Sequence, residues 1–203
     1  MSSIVVAGDT SGTITIAAPA VAGSGTLTLP VATDTLVGKA TVDTLTNKSI
    51  AATQLTGTIA ASVLPAGSVL QVVSATYANG VSNTTTTYAD TGLTATITPT
   101  RNTSKILVLI CHAENSKTGT SAGLRSQLLR GATVLTSLTE DSGYVSGGIS
   151  QSYFSFSGSY YDSPATTSAT TYKTQFKGTG AGQTIVVQQS NIPSTITLME
   201  IAA

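Results

Sequence analysis

The chain has 203 residues, enough for one medium domain and an appendage. Nine acids balance nine bases, and charged residues make up 9% of the chain, against about 25% in an average soluble protein. Lys and Arg are scattered singly, which argues against nucleic acid, since phosphate binding needs clustered cations. An apolar share of 40% argues against disorder. The longest strongly apolar run, 106–111, falls far short of the roughly 18–20 residues of a membrane helix. What remains is an all-β chain whose strands take their polarity from Thr and Ser hydroxyls.

The first sixty-five residues alternate like strands. Gly12-Thr13-Ile14-Thr15-Ile16 alternates small polar with apolar, Gly25-Thr26-Leu27-Thr28-Leu29 repeats the pattern, and Leu55-Thr56-Gly57-Thr58-Ile59 is a looser echo. The segment has no aromatic residue, and its apolar content is mostly Ala, Val and isolated Leu or Ile. Such side chains cannot offset a backbone entropy of about 1–2 kcal/mol per ordered residue. Identical chains or a partner surface must therefore cover the apolar faces. Residues 1–40 read as a β-repeat arm punctuated by Pro19 and Pro30. Residues 41–66, with apolar positions spaced between helical and extended, read as a stalk or linker holding one short helical turn. Pro65-Ala66-Gly67 marks the boundary of a head, 67–203.

In the head, 69–73 opens the domain and 93–97 alternates cleanly up to Pro99. Residues 106–111 are continuously apolar, the pattern of a central strand buried on both faces. Arg130-Gly131 predicts a hairpin turn between 124–129 and 134–138, and 178–182 predicts another between 172–176 and 185–187. In 152–156 both Phe side chains fall on one face and Tyr153 on the other. The closing strand, 195–201, sets Ile196 and Leu198 on one side and Met199 and Ile201 on the other, so it is central in a sheet or sits at a subunit contact. About ten short strands with no convincing helix predict an antiparallel, jelly-roll-like β-sandwich.

Signals for catalysis are sparse. His112, the only histidine, directly follows Cys111, the only cysteine, so in a strand the two point to opposite faces and form no Cys–His pair. It reads as a structural histidine at the end of a core strand. One cysteine permits no internal disulfide, and no Cys/His cluster suits zinc. Glu140-Asp141 is the only adjacent acidic pair, and nothing in the spacing of Asp90, Glu114 and Asp162 suggests the paired carboxylates of a glycosidase. Gly178-Thr179-Gly180-Ala181-Gly182 lacks the Lys-Ser/Thr of a phosphate loop. The reading is a non-enzyme with no cofactor and no metal. The amino-terminal Met1-Ser2-Ser3-Ile4-Val5-Val6 has no basic region before its apolar stretch, so the expectation is synthesis in a cytoplasm without the secretory route. Tyr144, Tyr153, Tyr160 and Tyr161, with Asp162, are candidates for receptor contact, because Tyr joins an apolar ring to a polar tip. The same tyrosines fit a sandwich edge or a subunit contact.

Asp43-Thr44-Leu45-Thr46-Asn47-Lys48-Ser49-Ile50 resembles an element that recurs in bacteriophage tail-fibre and other virion structural proteins. Gln54-Leu55-Thr56-Gly57-Thr58-Ile59-Ala60, followed by Leu64-Pro65, is similar to another fibre-associated phrase. The opening, from Gly8-Asp9-Thr10-Ser11-Gly12 through Leu27-Thr28-Leu29-Pro30, is similar to amino-terminal repeats of phage appendages. The stretch from Asp162 to Ile201 resembles globular β heads of virion proteins. The resemblance implies a homotrimeric virion component without catalysis: a short fibre attached by its arm and displaying the head to a host-surface glycan or protein. The alternative is a capsid decoration protein whose arm clamps capsid subunits. On this reading Ile14, Ile16, Leu27 and Leu29 are candidates for virion attachment, and other virion proteins are partners. Leu45, Ile50, Leu55, Ile59, Leu64, Met199 and Ile201 are candidates for trimer contact. Neither nucleic acid nor membrane insertion is expected.

Overall fold

The computed structural model describes residues 3–7, 10–17, 31, 49–51, 53, 56, 57, 59–147 and 151–203. The chain divides into two compact units, Met1–Thr56 and Gly57–Ala203. In the first, β1 (Ser3–Ala7) and β2 (Thr13–Ala17) form an antiparallel hairpin with Ile4 opposite Ile16 and Val6 opposite Ile14. The alternation predicted at 12–16 is therefore a strand, and its partner is the run 3–7. The repeat at 25–29 lies outside the described residues. Residues 56, 57 and 59 are not in a strand, and Gly57, at φ +97°, breaks the extended run anticipated there.

The second unit begins with an extended lead-in that contains a 3-10 turn, Ala61–Val63, the short helical turn expected of this stretch. Ten strands follow: β3 (Val69–Tyr77), β4 (Val81–Asn83), β5 (Ala89–Ile97), β6 (Lys105–Thr118), β7 (Ala122–Arg130), β8 (Thr133–Val145), β9 (Gln151–Asp162), β10 (Thr170–Gly178), β11 (Thr184–Val187) and β12 (Ser194–Ile201). The described residues contain no α-helix.

One sheet runs β3-β12-β6, with β9 on the free edge of β6, and the other runs β5-β10-β7-β8. Short β11 and β4 extend the first sheet beside the far end of β6. The antiparallel pairs β3/β12, β5/β10, β6/β9 and β7/β8 together make the eight-stranded double Greek key of a jelly roll. The all-β sandwich expectation holds.

The core follows from alternation. Leu93, Ala95 and Ile97 of β5, Ile106, Val108 and Ile110 of β6, Leu128, Tyr172, Ile196 and Leu198 form one buried cluster. Leu124, Phe176, Ile185 and Val187 form a second, with Phe154 and Phe156 packed against it. Gly131, at φ +58°, makes the predicted tight turn between β7 and β8.

Two expectations are corrected. Both edges of β10 are taken by β5 and β7, so β11 cannot pair with it; the segment 179–183 crosses between sheets and is not a hairpin turn. Also, β6 is central in its sheet, with partners on both edges, but of its apolar run 106–111 only Ile106, Val108 and Ile110 are buried. Leu109 and Cys111 are exposed and Leu107 is partly so; among the described residues no second layer covers the outer side of this apolar strand.

Candidate functional site

The jelly roll has two outer faces of different chemistry. Outside β5-β10-β7-β8, Asp90, Lys173, Arg125 and Glu140 form ion pairs. Gln175 Nε2 also donates to Asp90 Oδ1 at 2.8 Å. Burial pushes the Asp90 carboxyl up, but the Gln175 and Lys173 donors outweigh it and leave the group below its ordinary value. Lys177 lies 4.6 Å from the centre of the Tyr88 ring. This is a solvated surface, and a shallow cleft on it is lined by Asp90, Gly92, Thr94 and Lys173.

The outer face of β3-β12-β6-β9 lacks that charge. The pairing places Val72 beside Met199, Met199 beside Leu107, and Leu107 beside Tyr161, so one apolar row crosses four strands. Val69 and Ile201 adjoin it on one side and Leu109 on the other. Lys105 is the one charged residue among the outward positions of β3, β12, β9 and 105–111 of β6, and its Nζ donates to Ser163 Oγ at 2.9 Å. Beyond Leu109 the face is a field of hydroxyls with Cys111 among them; Thr197 pairs with Ser74, and Thr195 with Thr76 and Cys111.

The tyrosine candidates do not form one cluster. Tyr153 and Tyr161 are both more than half exposed on the outer face of β9, but eight residues of strand, about 27 Å, separate them. Tyr160 points inward and packs against the core. Tyr144 is exposed near the end of β8, in the opposite sheet. Asp162 is buried. Its carboxylate accepts from Arg130 Nη1 at 2.9 and 2.8 Å and from Tyr172 Oη at 2.6 Å. Burial and the Asp162 hydrogen bond raise the Tyr172 hydroxyl well above its ordinary pKa, so it stays a donor. The triad pins β7, β9 and β10 together and occupies the carboxylate.

His112 lies mid-strand in β6, fully buried, while Cys111 faces out, as their adjacency requires. Its Nε2 is 3.0 Å from Thr174 Oγ1, which lies 2.6 Å from Thr91 Oγ1; its Nδ1 is 3.3 Å from Gln188 Nε2, which also donates to Ser194 Oγ at 3.1 Å. The ring stacks on Phe156 with centroids 4.8 Å apart. Burial pushes the imidazole down to about 4. This polar belt was not legible in the sequence because its members come from β5, β6, β10 and the approach to β12.

Just past His112, Glu114 adopts φ 43° in a bulge that shifts the register with β9. The shift turns Asn115 and Lys117 inward, and the Lys117 ammonium donates to the Gly119 carbonyl at 2.8 Å. Glu200 is also buried. Burial pushes its carboxyl up, but donors from Gln71 and Thr100 outweigh this and hold it below its ordinary value. Asp90, Glu114 and Asp162 do not share a site: the first pairs with Lys173, the last with Arg130, and Glu114 lies in the β6 bulge. Among the described residues no group of three or more His, Cys, Asp or Glu side chains could hold a metal ion.

Of the remaining candidates, Ile50 and Ile59 are exposed and Leu64, Met199 and Ile201 are partly exposed. Ile16 is half-exposed in the hairpin, and Ile14 stands in register with Val6. Leu27, Leu29, Leu45 and Leu55 lie outside the described residues.

No protein-family model and no curated protein matches the chain. Among solved structures, the chain is similar to the infectious bursal disease virus Gt strain structure at 13% identity and a TM-score of 0.35, covering 73% of this chain and 42% of that one. It is similar to a mutant VP2 protein of infectious bursal disease virus from derived T=1 particles at 13% identity and a TM-score of 0.37, covering 73% and 40%. A VP2 subviral particle of the same virus matches at 16% identity and a TM-score of 0.34, covering 66% and 38%. The chain spans about two fifths of the length of these proteins. Likeness at this level carries no argument about the chain's role.

Proposed function

We propose that this chain is a non-enzymatic structural component of a virus particle: a short trimeric phage fibre, held by its amino-terminal arm and presenting the jelly-roll head to the host surface. The observation that carries this reading is the β1–β2 hairpin. Ile4, Val6 and Ile16 are each half-exposed or more, and an isolated two-stranded hairpin is marginal in water. Such an element holds its shape against a partner. The order of fibre-like phrases along 8–65 supports a virion as that partner. Jelly rolls also build capsids and lectin domains, so the fold alone selects no role.

The exposed hairpin equally suits an arm laid over a shell, which favours capsid decoration as the second reading. Particles assembled without the protein separate the two. Lost adsorption with normal heat resistance supports the fibre; normal adsorption with weakened particles supports decoration. Failure of the protein to co-sediment with particles refutes both.

A further inference from the structure

We propose that the outer face of β3-β12-β6-β9, centred on the row Val72–Met199–Leu107–Tyr161, is the surface through which the heads of identical chains meet. The inference rests on the reading of the chain as an assembled virion part, and assigns to that assembly a face of the head. It starts from a discrepancy. The run 106–111 has the composition of a strand buried on both sides, yet the described residues of a single copy cover only one. β12 repeats the pattern with Met199 and Ile201 turned outward. Two adjacent central strands thus carry apolar side chains on a side that a soluble antiparallel sheet normally makes polar.

Three observations select a copy of this chain as the occupant. The first is charge. Among the described outward positions of β3, β12, β9 and 105–111 of β6, Lys105 is the one charged residue, and it is already engaged with Ser163. Two copies of such a face meet without like-charge repulsion, and the cores of self-association interfaces are depleted of charge in the same way. The opposite sheet, with its Asp90, Lys173, Arg125 and Glu140, is the one built for water.

The second is area. Four strands about 4.8 Å apart and three same-face rows about 6.8 Å apart outline a field of about 400 Å². Lys105, Ser74, Thr197 and Ser159 share that field with the apolar side chains, so it matches the largest patch of an ordinary monomer, roughly 300–600 Å², and is about half of the roughly 800 Å² per partner that a stable interface needs.

The third is continuity, which supplies the remainder. The Gly67 amide donates to the Ala202 carbonyl at 2.8 Å, and Ala202 returns a bond to Ser68 at 2.9 Å, so the lead-in enters the head beside Val69 and Ile201. Two residues of that lead-in, Ile59 and Val63, are 56% and 68% exposed. A second copy covers lead-in and patch together; a receptor binding at the head alone leaves the lead-in bare.

Cys111, on the hydroxyl end of the same face, is a native reporter. The test treats full-length protein with the thiol reagent DTNB and measures its mass by sedimentation velocity, alongside Leu109→Asp, the more peripheral Val72→Asp, and Thr96→Asp on the opposite sheet. Expected are an oligomeric wild type whose Cys111 reacts at least about tenfold more slowly than in dissociating urea, a lighter species with a fast-reacting thiol for either face variant, and no change for Thr96→Asp. Far-UV circular dichroism identifies variants that remain folded; should Leu109→Asp unfold, Val72→Asp decides. An oligomeric wild type with a fast-reacting Cys111, or a folded face variant of unchanged mass, overturns the inference and leaves the assembly reading standing. A monomeric wild type overturns both.

Discussion

Acidification should destabilise the head through His112 alone over the pH range just below neutrality. The imidazole is fully buried among Thr174, Gln188 and Phe156, and burial pushes its pKa from 6.5 to about 4. The unfolded chain binds the proton more readily, so stability is independent of this group above about pH 6.5, falls as pH drops toward about 4, and is then fully reduced. The gap between 6.5 and about 4, at about 1.4 kcal/mol per tenfold, amounts to about 3 kcal/mol. The two carboxyls held below their ordinary values, Asp90 and Glu200, also stabilise the fold, but their contributions are lost only at more acidic pH. Because the chain has one histidine, the slope between pH 6.5 and 5 has a single source there. The assay is urea unfolding followed by far-UV circular dichroism at pH 7.5, 6.0 and 5.0, at fixed protein concentration because assembly adds to apparent stability. His112→Gln should be less stable at pH 7.5 and nearly flat across the series. A flat wild type, or an equal slope in His112→Gln, would refute the reasoning.

Arg130→Met should cost about 2–3 kcal/mol in urea unfolding, because it strands the buried Asp162 carboxylate; the figure allows for the partly exposed guanidinium. Tyr172→Phe removes one donor to that carboxylate and should cost about 1.5–3 kcal/mol. Gly143→Ala should cost more than about 2 kcal/mol, because φ is +70° there and a Cβ would overlap the Phe154 ring; Gly147→Ala, at φ +74° with open space around it, should cost only about 1 kcal/mol. Deleting 1–66 should leave a soluble β domain, since Gly67 keeps its bond to Ala202; loss of the far-UV β signal would place the boundary elsewhere.

Much of the head was legible because alternation is a local signal. Leu93, Ala95 and Ile97 of β5, Phe154 and Phe156 of β9, and Ile196 and Leu198 of β12 all face inward as their spacing requires. Three features were not local. The β6 bulge depends on Glu114 at φ 43°, a conformation its residue type does not announce, and it reverses the facing of Asn115 and Lys117. The segment after Gly178 has the composition of a hairpin turn; only the occupied edges of β10 make it a crossover. Asp162, next to two tyrosines and a Ser-Pro, resembles a surface acid until Arg130, thirty-two residues earlier, closes on it. The candidate surface was half visible: the two-sided apolar patterns of 106–111 and 196–201 were in the sequence, whereas their adjacency across β6 and β12 required the sheet order.

The dependence of the amino-terminal segment on neighbouring copies is tested most directly by light scattering on the full-length protein at micromolar concentration, with limited proteolysis of the same sample. The predicted result is a mass of three chains. A folded monomer whose residues 1–56 resist protease would contradict it.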